Sequence, residues 1–158
     1  MSGLSPLANI TTPNLADFQT FLTTFVQIPT AALPANSPYP AFVFPEAQSL
    51  VLNAPMAPSQ LFCMATYNCA THLLFLIAPD QPGQTYFAAA RSNTGFGLVQ
   101  PSSGIVVSSS DQGTSASLAQ PNWAAGLTVD QLSFMKTPWG REYLAYNQKY
   151  GPTIWGLT

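Results

Sequence analysis

Between Ser59 and Ala78 the chain reads SQLFCMATYNCATHLLFLIA, a run without a single charged side chain. Its polar members are Thr66, Asn68, Thr71 and His72, with Ser59 and Gln60 at the leading edge. Helix formers dominate, and Pro79, which cannot continue a helix, stops the run. A stretch of this length and character is either a span through a bilayer or a helix packed on several sides inside a protein. Asn68 and His72 near its middle are expensive in lipid, and no Lys or Arg flanks it to anchor a span. The reading is a central core helix, with no membrane as partner.

Working toward the N-terminus, Pro55 and Pro58 punctuate the junction before this helix. Pro45 suits the first position of a short helix that runs to about Asn53, with Glu46 in its first turn. Residues 28–44 hold Pro29, Pro34, Pro38 and Pro40, which predicts a loop or extended arm. Before it, Leu15, Phe18, Leu22 and Phe25 recur at helical spacing. Asn14 is placed to cap that helix and Asp17 falls in its first turn, where a carboxylate suits the exposed N–H groups. The predicted helix covers residues 14–27.

Toward the C-terminus, residues 80–103 are rich in Gly, Pro, Asn, Ser and Gln and read mostly as loop, with a short element of undecided type at Thr85–Arg91. From Gly104 to Ala119, two β-prone segments flank the polar turn Ser109, Ser110, Asp111, Gln112, Gly113, which is a hairpin signal. Its faces are small, and an isolated two-stranded hairpin is marginal in water, so it needs a partner surface. Thr128 with Gln131 three residues on forms a capping box, and Thr137-Pro138 restarts or kinks the helix that follows. Trp139, Tyr143, Tyr146 and Tyr150 then make one aromatic stripe, ended by Gly151-Pro152. The first three of these read as core. Tyr150, Ile154 and Trp155 lie at or beyond the helix end, where Trp and Tyr serve as interface anchors.

The expected fold is mainly α: a small helical bundle with a central apolar helix, one inserted β-hairpin and an extended C-terminal tail. It is read as a single domain over 1–158, with an N-terminal arm at 1–13, the bundle at 14–149 and the tail at 150–158.

Charge is the unusual feature of composition. Only 6% of the 158 residues are Asp, Glu, Lys or Arg, where about 25% is ordinary. Hydrophobic residues make up 47%, which excludes disorder by composition, and Ser, Thr, Asn and Gln together supply 48 neutral polar residues. Charged side chains are depleted from the centres of protein interfaces, so such a composition points to a subunit packed among neighbours. The four cations, Arg91, Lys136, Arg141 and Lys149, are scattered and form no phosphate-binding cluster. Met1-Ser-Gly-Leu-Ser-Pro has no positive region and no apolar run, so no signal peptide is expected.

Catalytic readings fail in turn. Cys63 and Cys69, on one helix, are rotated by about 600° from each other, roughly 120° off a shared face, so neither a disulfide nor a zinc site with His72 is expected. His72, the only histidine, shares a face with Cys69, but a thiol in so apolar a helix stays protonated and inert. The six carboxylates (Asp17, Glu46, Asp80, Asp111, Asp130 and Glu142) show no spacing that forces an acid–base pair, and no Walker loop or nucleophile elbow occurs. The chain is read as non-enzymatic, with no metal and no cofactor.

Taken in order, these features resemble the head–tail connector subunits of tailed bacteriophages, also called adaptor or head-completion proteins. The resemblance rests on the opening amphipathic helix Leu15–Val26, the Phe44-Pro45-Glu46 step and the Ala70-Thr-His-Leu-Leu74 signature. It continues with the small-residue hairpin and the closing Thr137-Pro-Trp-Gly-Arg-Glu-Tyr-Leu144 helix. It covers most of the chain outside residues 1–12 and 80–103. It implies a homo-oligomeric ring of about twelve copies in the virion neck, assembled in the host cytoplasm. Such a ring docks on the portal through its C-terminal segment, here Tyr150, Pro152, Ile154, Trp155 and Leu157. A downstream neck or tail-terminator protein would sit below, and DNA would pass through without sequence-specific binding. The turn at Ser109–Gly113 would then line the channel. Competing readings are a tail-completion or tail-terminator ring, a monomeric helical ligand-binding domain, and an enzyme using His72 and Cys69.

Overall fold

A computed structural model of the protein describes residues 11–92, 105–108, 117–119 and 128–151. The fold is mainly helical, as expected from the sequence. Helix α1 (Leu15–Thr24) starts where Asn14 Oδ1 accepts the Asp17 N–H at 2.8 Å, and Asp17 returns the contact by accepting from Asn14 Nδ2 at 2.8 Å. It ends sooner than the apolar spacing implied. Gln27 takes a left-handed φ of 59°, and the Ile28 N–H turns back onto the Leu22 carbonyl.

Helix α2 (Tyr39–Leu50) corrects the expectation of a proline-rich loop followed by a short helix from Pro45. Pro38 is its N-cap and Pro40 lies in the first turn, where a missing N–H breaks no helical bond. Pro45 lies inside the helix, on its solvent side. Ala41, whose carbonyl loses its helical partner there, is also exposed, so that carbonyl is not buried without a bond. The opposite face buries Val43, Phe44 and Ala47.

Helix α3 (Ser59–Ile77) is the centre of the molecule. By length and composition it is apolar enough to cross a membrane, but ten of its nineteen residues, Asn68 not among them, are buried against other helices. Thr66 and Thr71 are wholly buried and donate their hydroxyls to the carbonyls of Phe62 and Tyr67, so neither carries an unmet donor. Toward its N-terminal half Tyr67 is enclosed by Phe18, Phe21 and Phe44, with ring centroids 5.7–6.3 Å away. Toward its C-terminal half Phe75 stacks on Trp139 at 4.5 Å and meets Phe87 edge-on at 5.3 Å. Two aromatic clusters on one helix therefore tie α1 and α2 to one end of it and the later helices to the other.

The short element of undecided type at Thr85–Arg91 is helix α4 (Tyr86–Ser92), which supplies the fully buried Phe87. The Asp80 carboxylate accepts the Phe87 and Ala88 N–H groups at 2.6 and 2.7 Å, satisfying the first turn. Arg91 Nη1 donates to the Phe75 and Ala78 carbonyls at 3.2 and 2.7 Å, closing the end of α3.

Strands β1 (Ile105–Ser108) and β2 (Ser117–Ala119) pair antiparallel, with Ile105 opposite Ala119 and Val106 opposite Leu118. Helix α5 (Val129–Phe134) opens on the capping box of Thr128 and Gln131. Helix α6 (Pro138–Tyr150) opens on Thr137, with Pro138 at its first position. Helices α2 and α6 are the two chief neighbours of α3, and α6 runs antiparallel to it.

Candidate functional site

The seam between α3 and α6 holds the chemistry-bearing residues. At one end His72 is buried, and its Nδ1 meets the Thr137 hydroxyl at 2.8 Å. The same Thr137 Oγ1 accepts the Gly140 N–H at 2.9 Å, so it caps α6 and contacts α3 at once. With one lone pair given to Gly140, the Thr137 O–H is free to donate to Nδ1, which fits a neutral ring protonated at Nε2. The Phe134 ring covers the imidazole at 4.6 Å between centroids. Gly140 is required here: a Cβ would collide with the Phe134 carbonyl and stand 3.0 Å from His72 Nδ1.

Burial lowers the His72 pKa to about 4, with Lys136 pushing in the same direction. Burial likewise raises Cys63 to about 11, helped by Asp17, and Cys69 to about 12, helped by Glu46. Both cysteines are free and buried. At neutral pH this row therefore offers an uncharged imidazole and protonated thiols, which is the state of packing groups rather than nucleophiles. Among the described residues no group of three or more His, Cys, Asp or Glu comes together to hold a metal.

At the other end of the seam the two helices part into an open groove of about 220 Å³. Leu61, Met64, Ala65 and Asn68 of α3 face Glu142, Ala145, Tyr146, Lys149 and Tyr150 of α6. Small-molecule pockets hold about 300–1,000 Å³, so this groove suits one or two side chains. Its floor is anchored from a third side: the Tyr143 and Tyr146 hydroxyls donate to the Leu50 and Leu52 carbonyls at 3.3 and 2.9 Å. That contact sets the exposed Leu50 and Leu52 beside α6.

Tyr143 and Tyr146 are buried and Trp139 packs on the core, as the aromatic stripe implied. Tyr150 is half-buried, 5.2 Å from the Tyr146 ring, with Lys149 Nζ 5.2 Å from its own centroid. Pro152, Ile154, Trp155 and Leu157 lie outside the described residues, as do Ser109, Ser110, Asp111, Gln112 and Gly113. The groove itself was missed from sequence. Its signal is the i, i+3, i+4, i+7 spacing of residues 61, 64, 65 and 68 matched by 142, 145, 146 and 149, which becomes legible only once α3 and α6 are known to pair.

No protein-family model, no curated protein and no solved structure matches this chain.

Proposed function

We propose that the chain is a structural subunit of a ring in the neck of a tailed-phage virion, joining the portal to the tail and letting DNA pass. The observation that carries this reading is apolar surface on a nearly uncharged chain. Met56 is 90% exposed, Phe42 71% and Phe25 51%, with Leu50, Leu52, Leu61, Leu76, Ile77 and Leu132 also open. Single exposed apolar residues are ordinary, but here few charges stand between them to keep copies apart. A subunit flanked by two copies of itself, with a portal above and a neck protein below, covers such a surface.

The resemblance in motif order supports the same reading, and so does a helical fold, since a tail-terminator ring is usually built around a β-sandwich. In this role the hairpin at 104–119 lines the channel through Ser109–Gly113. Its single charge, Asp111, leaves little to grip moving DNA. Tyr150, Pro152, Ile154, Trp155 and Leu157 form the portal-docking segment, with no metal, cofactor or catalytic group involved.

The test is truncation after Gly151. The account expects the shortened chain to keep its thermal transition, because the core formed by the described residues lies before that point, and to lose attachment to portal. Truncated protein that still decorates portal normally sinks the docking assignment.

A further inference from the structure

We infer that copies of this chain meet head to tail, the exposed Phe42 of α2 on one copy seating in the groove between α3 and α6 of the next. The inference rests on the ring reading for the place of this contact in the virion, and deepens it by naming the two surfaces; the contact itself is argued from the subunit.

Phe42 is the most exposed aromatic residue among the described residues. It stands on the outer face of α2, away from the buried Val43, Phe44 and Ala47. Beside it Ala41, Pro45 and Ser49 are exposed and small, so its phenyl group projects as a knob. Aromatic side chains of this kind anchor protein interfaces.

The groove is the matching socket. Its space of about 220 Å³ takes one phenyl group with room to adjust. Met64 lines it, and so do Tyr146 and Tyr150, whose ring centroids lie 5.2 Å apart. An incoming phenyl group therefore meets a polarizable sulfur and two aromatic faces. Leu52, whose carbonyl takes the Tyr146 hydroxyl, adds exposed apolar surface beside it.

Knob and socket do not meet within one chain, because Phe42 is not among the walls of the groove. They share no residue either, and they belong to different neighbours of α3. One copy can thus give its knob to one neighbour and its socket to another. A contact between unlike surfaces is heterologous, the kind that closes into a ring when the rotation permits.

Charge fixes the direction. Glu46, one turn along α2 from Phe42, is exposed. So are Glu142 and Lys149, near the two ends of the α6 wall of the groove and about 10 Å apart at 1.5 Å per residue. With Phe42 seated, Glu46 stands about 6 Å from it and meets Lys149 in one orientation and Glu142 in the reverse. Attraction in the first and repulsion in the second select one register. An exposed ion pair adds little strength of its own. Phe42 supplies the affinity and the charges supply the orientation.

The test follows the full chain, without portal, by sedimentation velocity from micromolar to millimolar concentration. The parent is expected to grow past the dimer as concentration rises. Phe42→Ser removes the knob and Ala145→Arg fills the socket; both positions are exposed, so the thermal transition should stay. Each variant alone is expected to associate at least about tenfold more weakly than the parent. Mixed in equal amounts, the two are expected to form a one-to-one heterodimer and stop there. The knob of the Ala145→Arg chain finds the intact groove of the Phe42→Ser chain, and no further knob and socket remain. If Ala145→Arg lowers the thermal transition, Lys149→Glu, which turns the rim against Glu46, blocks the socket instead. A parent that stays monomeric overturns the inference, as does one that stops at the dimer or a mixture no larger than its components. No readout involves portal or phage. A heterodimer with no label in the neck sinks the ring account alone, and label in the neck with no heterodimer sinks this contact alone.

Discussion

Replacing Thr137 by valine deletes one hydroxyl that serves two elements at once. The N–H of Gly140 loses its cap, a change that costs about 1 kcal/mol for typical helix N-caps. His72 Nδ1, buried and held at 2.8 Å, loses its partner, and a stranded buried polar atom costs about 1–3 kcal/mol. Valine fills the same volume, so no cavity is added. The two terms give about 3 kcal/mol, a large share of the roughly 5–15 kcal/mol that holds a domain together. For a chain of this size the melting temperature should fall by about 6–12 °C, at roughly 2–4 °C per kcal/mol. Urea unfolding followed by circular dichroism measures the energy, and Thr137→Ser is the control. Serine keeps the oxygen in both bonds and should remain within about 1 kcal/mol of the parent. A valine variant as stable as the parent, or a serine variant as weak as valine, would refute the shared-hydroxyl argument.

Gly140→Ala forces a methyl group against the Phe134 carbonyl and His72, so α5 or α3 must give way; a loss of about 1–3 kcal/mol is expected in the same assay. Acid should weaken the fold through His72. An ordinary histidine titrates at 6.5 and this one at about 4, so between those values the unfolded chain takes up a proton that the folded chain refuses. Stability from this group is full above pH 6.5 and declines as pH falls toward 4, by about 3 kcal/mol in all. Urea midpoints measured from pH 7 to 5 should show that slope, and His72→Asn should flatten it. The two thiols should resist Ellman's reagent in the native protein and react fully in denaturant, because Cys63 and Cys69 are buried with pKa values raised to about 11 and 12. Rapid native reaction of either would contradict the packing described for α3.

The parts of this fold that could be read directly are those set by local chemistry. Asn14, Thr128 and Thr137 announce their helices because a capping side chain and the N–H it satisfies lie within three residues. The central helix is legible because an uncharged run closed by Pro79 has few alternatives. Pro45 misled because proline at a first helical position and proline on the wet face of a longer helix look alike; only the packing of Phe44 and Ala47 on α3 separates them. The short element at Thr85–Arg91 kept its type hidden because the first turn of α4 is satisfied from outside it, by Asp80, and because Arg91 spends its guanidinium on the carbonyls at the end of α3. His72 reads correctly as a core histidine, but its partner stands 65 residues away and no spacing rule supplies it. For the same reason the groove is invisible in one dimension: it is a property of two helices, and Met64 and Ala145 mean nothing alone.

An image of the phage particle's neck, with this subunit labelled, meets the proposal head-on. The account predicts label on a closed ring immediately below the portal, with the copies touching one another side to side. Label confined to another part of the particle, or absent from it while the protein persists as single chains in solution, would contradict it.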